Sequence, residues 1–271
     1  MKTQDSKSKE NIQKFEEKRF FSKISKTIDK YGMIAAGDRI LVGISGGKDS
    51  LALLKSLAWK KTASRISFDI IAVYIDILKI PYQANIDYIS QLCQSHGVEF
   101  IHQQINDDVD LSGKVKPPCF VCSWDRRKHL FALSTSLNVN KLALGHHLDD
   151  AVETLLMNMM YQSNISSIPP KLSMFNNTLE VIRPLIETPE KEILRFVETQ
   201  DFKLMLKTCP FEKVSSRQFV REILSQMEAK YDRAKINILK SMDHISTEYL
   251  VQSPIILESS QKQSNIDDVE Q

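Results

Sequence analysis

Six consecutive residues, Ser45-Gly46-Gly47-Lys48-Asp49-Ser50, restrict what this chain can fold into more than any other stretch. They join an apolar run, Arg39-Ile40-Leu41-Val42-Gly43-Ile44, to the helix-forming Leu51-Ala52-Leu53-Leu54. The first reads as a buried strand and the second as the opening of a helix. A strand that feeds a glycine-rich turn and then a helix gathers backbone N–H groups around an anion, and Lys48 adds a counter-charge. The stretch fails the usual P-loop pattern, because the spacing from Gly43 is one residue short and Asp49 stands where a magnesium-binding hydroxyl is required.

The surrounding pattern predicts an α/β fold: a Rossmann-like parallel sheet with helices on both faces, an N-terminal helix and a C-terminal helical region. A second apolar run, 68–75, ends in Asp76; a helix over 84–96, a short strand over 98–101 and a further strand over 141–144 follow. Ligands of such sheets lie beyond the carboxyl ends of the strands, where Ser45 and Asp76 fall. After the strand at 141–144 comes Gly145-His146-His147-Leu148-Asp149-Asp150, a second strand, polar turn and helix. Asp149 or Asp150 could hold magnesium or assist attack, with helix capping as the plainer role; His146 and His147 read as turn histidines. Residues 163–178 read as a loop, 179–182 as a strand, and Thr188-Pro189-Glu190 as the start of a helix running to about Gln200. Upstream, Ile12, Phe15, Ile24, Ile28 and Tyr31 form the apolar stripe of an amphipathic helix that packs on the body.

Cysteine usage depends on compartment. No run approaches the roughly eighteen apolar residues of a membrane span, and the polar N-terminus is unlike a signal peptide. A cytoplasmic location is therefore expected, and with it reduced thiols free for metal binding or chemistry. Of the 4 cysteines, Cys93 lies at helical spacing with Ile86, Ile89 and Leu92 and reads as core. Cys119 and Cys122 form a C-x-x-C at or just before a helix over 124–137, where the helix dipole, Arg126 and Arg127 favour thiolate. Alone, such a pair is equally a redox couple, half a zinc site or part of an iron–sulfur site. The net charge of +2 understates the basicity of the body. Residues 253–271, expected to be a disordered tail, hold Glu258, Asp267, Asp268 and Glu270 against Lys262, so the remainder carries about +5, enough for a basic face.

Taken together, the turn at 45–50, Cys119-x-x-Cys122, Gly145-His146-His147-x-Asp149-Asp150, Pro169-Pro170-Lys171, Arg183-Pro184-Leu185 and the remote Cys209 resemble, in order, the tRNA 2-thiocytidine synthetase family of the PP-loop ATP pyrophosphatase superfamily. The resemblance spans about residues 35–212. It implies an ATPase domain over 35–202, flanked by a helical extension at 1–34 and a helical region at 203–252. It further implies that Ser45, Gly46, Gly47, Lys48, Asp49, Ser50 and Gly145 hold ATP, with backbone near Val73 and Ile75 reading the adenine. Lys48, Asp49, Asp149 and Asp150 would be catalytic with Mg2+, and Cys119, Cys122 and Cys209 would ligate a 4Fe-4S cluster. The partners implied are tRNA, a cysteine desulfurase or other sulfur donor, and a second copy of the chain. Pro210-Phe211-Glu212 lacks a cysteine often found after the third ligand, and no extra C-x-x-C modules mark the thiouridine branch. Alternatives are a persulfide-using or thiouridine-forming thiolase, or a zinc-stabilised RNA-binding protein with a vestigial ATP loop that adds His129 or His146 to the cysteines.

Overall fold

The computed structural model describes residues 4–77, 84–106, 118–205 and 216–251. The expected disordered tail lies outside them, as does Cys209. A long N-terminal helix, α1 (Gln4–Lys30), leads to β1 (Arg39–Ile44), α2 (Lys48–Ala63), β2 (Asp69–Ile77), α3 (Ile86–Ser95), β3 (Glu99–Ile105) and α4 (Pro118–Ser136). Then come β4 (Lys141–Ala143), α5 (Leu148–Gln162), β5 (Lys171–Met174), β6 (Leu179–Ile182), α6 (Glu190–Glu198), α7 (Ser216–Lys230) and α8 (Ala234–Ser241), with a single 3-10 turn at Thr247–Tyr249.

Among the described residues the strands form a six-stranded sheet in the order β3-β2-β1-β4-β6-β5. All neighbours pair in parallel except the β5–β6 hairpin. Strand alternation sorts the apolar side chains. Ile40, Val42, Ala72 and Tyr74 face a core shared with α1, α2, α3 and α6, whereas Leu41, Ile71, Val73 and Leu142 face α4. Each large aliphatic residue so buried contributes about 1.5–3 kcal/mol, which is why a sheet covered on both faces reads as near-continuous apolar runs.

The N-terminal helix joins the main core rather than standing apart. Phe20 stacks on Phe196 at 4.1 Å, and Ile24 and Ile28 are fully buried. Its expected stripe holds only in its second half, because Ile12 and Phe15, one to two turns earlier, extend past the body and are exposed. The stretch 163–178, expected as a loop, contains the edge strand β5, closed by a turn in which Phe175, Asn176 and Asn177 all have positive φ. A four-residue edge strand after two prolines gives little alternation to read, and only its partner β6 defines it. The helix expected at 124–137 starts earlier, with Pro118 at its first position, so Cys119 and Cys122 lie within its first turns.

Candidate active site

The strand order reverses between β1 and β4, and the turns leaving their carboxyl ends meet there. A Cβ built on Gly145 would lie 3.2 Å from the Asp49 carbonyl carbon and 3.3 Å from the Ser50 nitrogen. These are backbone atoms with no rotamer to yield, so the two turns can approach only because position 145 has no side chain. Gly46 has φ +75° and fits against Ala84 and Met205, so it too must remain glycine. Gly145→Ala is expected to cost about 1–3 kcal/mol of stability by overpacking. It should reduce ATP turnover by more than the loss of folded protein explains, a split checked by thermal unfolding beside pyrophosphate release.

Where the turns meet, a cavity of about 340 Å³ opens. Its floor is Ser45, Asp49, Ser50 and Gly145, its apolar wall includes Val73 and Ile75, and its rim carries Arg126, Arg127, His146 and Asp150. The glycine turn is stitched by its own serines: Ser45 N–H donates to Ser50 Oγ at 3.1 Å, Ser50 Oγ–H donates to Gly47 O at 2.9 Å, and Gly47 N–H donates to Ser45 Oγ at 3.3 Å. Gly46, Gly47 and Lys48 shape the turn without lining the cavity. Lys48 Nζ sits 3.0 Å from Asp49 and 2.7 Å from Glu190 at the start of α6. Burial alone would lower its pKa, but Glu190 and Asp49 outweigh that and hold the ammonium above its ordinary value.

The paired aspartates separate by role. Asp149 is buried and turned into the packing: its carboxylate accepts the Glu190 N–H at 2.7 Å and pairs with Lys235 of α8 at 2.7 Å. Burial pushes its pKa up, yet these two partners pull it below the ordinary carboxylate range. Asp150 lines the cavity and caps α5 by accepting the His147 N–H at 3.1 Å. His147 is buried between the acids, with Nε2 3.8 Å from Asp49 and 3.5 Å from Asp150. Asp76, expected at this edge, is buried 3.5 Å from His102 and does not line the cavity.

Because the folded pKa of Asp149 is depressed, its contribution to stability is complete above the unfolded aspartate value near 4 and is lost as pH falls through the folded value. Lys235→Met would strand this charge. Since Lys235 keeps some solvent access, a loss on the order of 2–3 kcal/mol is expected at pH 7, short of that for a fully buried pair. The gap to wild type should narrow as pH drops below about 4, as urea unfolding at several pH values would show.

The basic rim has its own electrostatics. His146 is pushed down to about 4, chiefly by burial, with Asp150 opposing and Arg183 and Arg127 assisting, so it lines the cavity as neutral imidazole. Next to Arg126 and Arg127 on α4 stands Ser123, also on the cavity wall, and Cys122 precedes it, half-buried against the core beneath the sheet. Cys93 is sealed in the opposite core, and burial pushes its thiol up to about 11.

A family model described as a PP-loop domain matches residues 16–228. The chain is 30% identical over 239 residues to a tRNA-cytidine(32) 2-sulfurtransferase of Citrifermentans bemidjiense, covering 86% of this chain and 92% of that protein. The chain belongs to this PP-loop family. It is also 34% identical over 250 residues to the enzyme of the same name from Haemophilus ducreyi, covering 91% of this chain and 78% of that one. In fold it matches the U34-tRNA thiolase NcsA from Methanococcus maripaludis, solved with its 4Fe-4S cluster, with a TM-score of 0.71 and 24% identity over 88% of this chain and 81% of that one. In this PP-loop chain, sequence reasoning missed Glu190 as the partner of Lys48, Lys235 as the partner of Asp149, and His147 as the group between the acids. Glu190 was visible only as a helix start. Lys235 was one of many basic residues in the C-terminal region, with nothing in its spacing to single it out.

Proposed function

We propose that the chain is an ATP-dependent tRNA sulfurtransferase that converts cytidine 32 of tRNA to 2-thiocytidine. The observation that supports this most is the joining of the two turns around one cavity, with Asp49 and Asp150 on its floor and rim and a basic, C-x-x-C-bearing helix as its lid. In the reaction the C2 oxygen of cytidine attacks the α-phosphorus of ATP, the bond from that phosphorus to the bridging oxygen breaks, and pyrophosphate leaves. A sulfide-level sulfur then adds at C2, the C2–O bond breaks, and AMP departs.

The residues fit these steps. Backbone groups of the 45–50 turn, with Lys48 above them, receive the charge that builds on pyrophosphate, a stabilisation set in place before reaction. Asp49 Oδ1 is buried without a hydrogen-bond partner, which suits a hard cation, and Asp150 would complete the hold on Mg2+. Of the two aspartates at 149–150, the packing of Asp149 against Lys235 and Glu190 leaves Asp150 for that task. Val73 and Ile75 form the apolar wall for adenine.

With Cys93 sealed in the core, the thiolate donors are Cys119, Cys122 and Cys209, a set suited to a 4Fe-4S cluster. These three thiolates would hold such a cluster, which would supply a site for the sulfur to be transferred. A cysteine desulfurase or another donor supplies that sulfur in the cytoplasm, and the chain works as a homodimer. The direct test is anaerobic incubation with ATP, sulfide and unmodified tRNA: pyrophosphate and 2-thiocytidine should form together. A colourless, iron-free protein that still thiolates would replace the cluster by a persulfide route, and no pyrophosphate from metal-replete protein would remove the ATP-dependent reading.

A further inference from the structure

A second cavity, of about 520 Å³, lies between α4 and the β5–β6 hairpin. It shares Arg127 and Leu144 with the ATP cavity, so the two spaces adjoin. Its interior is apolar, with Leu144 and Val181 beneath and Phe131 set edge-on to Phe175 at 5.4 Å. Its mouth carries large apolar groups that water reaches: Trp124 is 62% and Phe175 54% exposed. Among the described residues that line it, the charged ones are Arg127, Lys128 and Arg183, all basic.

Arg183 makes the arrangement unusual. Its guanidinium is buried, donates to Pro169 O at 2.7 Å through Nη1, and leaves Nε buried without a partner. Burial and the nearby Arg127 charge lower its pKa to about 10. Two guanidinium groups beside each other, with only basic charged side chains among the described lining residues, favour an anion. An apolar slot with exposed aromatic rings beside an anion seat has the chemistry of a nucleotide from single-stranded nucleic acid: the base stacks on a ring and its phosphate meets arginine. The core of a face for another protein copy would instead be depleted in lysine.

We infer that this second cavity seats the cytidine to be thiolated, unstacked from its RNA loop, with the base against Trp124 and Phe175 and its phosphate on Arg127 and Arg183, so that it enters the ATP cavity across their shared wall. The inference rests on the sulfurtransferase reading, and it supplies what that reading lacks, a place for the second substrate next to the first. Extrusion of a base from its stack is the common solution for enzymes acting on ring atoms.

The test compares Trp124→Ala, Trp124→Phe and Phe175→Ala with wild type, using an unmodified tRNA transcript and a non-hydrolysable ATP analogue as separate probes. Both alanine variants should weaken transcript binding by roughly 5- to 150-fold, the range for loss of one base–aromatic stack, with analogue affinity unchanged. Trp124→Phe should recover most of the loss. In a Trp59→Phe background, where Trp124 is the sole tryptophan, the transcript should quench its fluorescence. Wild-type transcript affinity in both alanine variants would overturn the seat and leave the sulfurtransferase reading standing. Failure of wild type itself to bind transcript would overturn both, and conversion of a dimer to monomer by Trp124→Ala would assign the cavity to an interface between copies.

Discussion

Lys48→Ala is expected to lower tRNA-dependent pyrophosphate release by about 10²–10³-fold, the loss found when one preorganised donor to a developing anion is removed. The side chain does two things at this site. In the proposed reaction it would supply positive charge to the turn that receives pyrophosphate, and it neutralises Asp49 and Glu190, 3.0 and 2.7 Å away. Without it, two carboxylates face an incoming polyphosphate, so ATP binding weakens along with turnover. Because the variant also strands two partly buried carboxylates, a stability loss on the order of 1–3 kcal/mol is expected, and release is compared per folded protein. The visible absorbance of the cluster should persist, because the proposed ligands lie on α4 and at Cys209 rather than in the turn. Lys48→Arg keeps the charge but spreads it over a broader planar group, so it should restore ATP binding more than turnover. An alanine variant with wild-type pyrophosphate release would show that the turn does not carry the leaving group.

The complementary experiment is Cys122→Ala. Removing outer partners of a metal site commonly costs 10–100-fold in affinity, so deleting a ligand should lower iron retention by roughly 10²-fold or more. Anaerobically purified variant should be nearly colourless and should yield background amounts of 2-thiocytidine. ATP binding should be unaffected, since Cys122 stands behind Ser123 and outside the cavity wall. A residual activation of tRNA without sulfur transfer is the expected signature: pyrophosphate and AMP form, but no thiolated base. If Cys122→Ala and Lys48→Ala each abolish both properties, the nucleotide and sulfur sites are one cooperative unit and not two adjoining ones. Full thiolation by Cys122→Ala would exclude this cysteine from the sulfur path.

The parts legible in the sequence are those in which neighbouring residues act together. The turn at 45–50 could be read because its strand, glycines and helix are contiguous. The sheet followed from apolar runs, and Cys93 from its helical spacing. What could not be read depends on contacts between distant segments. Asp149 and Asp150 are adjacent, and a helix points them about 100° apart; which one meets the cavity is settled by Lys235 and Glu190, 86 and 41 residues away. Strand β5 exists because β6 pairs with it, and the second cavity because that hairpin stands opposite α4. The early start of α4 is a local effect that the proline pair at 117–118 obscured, since a proline reads first as a breaker although Pro118 occupies the first helical position.

In the proposed reaction this chain activates a cytidine carbonyl with ATP and replaces its oxygen by sulfur. Mass spectrometry of nucleosides from tRNA of a strain lacking the gene, compared with the same strain carrying wild type or Lys48→Ala, tests it most directly. 2-Thiocytidine should be absent from the deletion strain, restored by wild type and still absent with Lys48→Ala. Unchanged 2-thiocytidine in the deletion strain would contradict it.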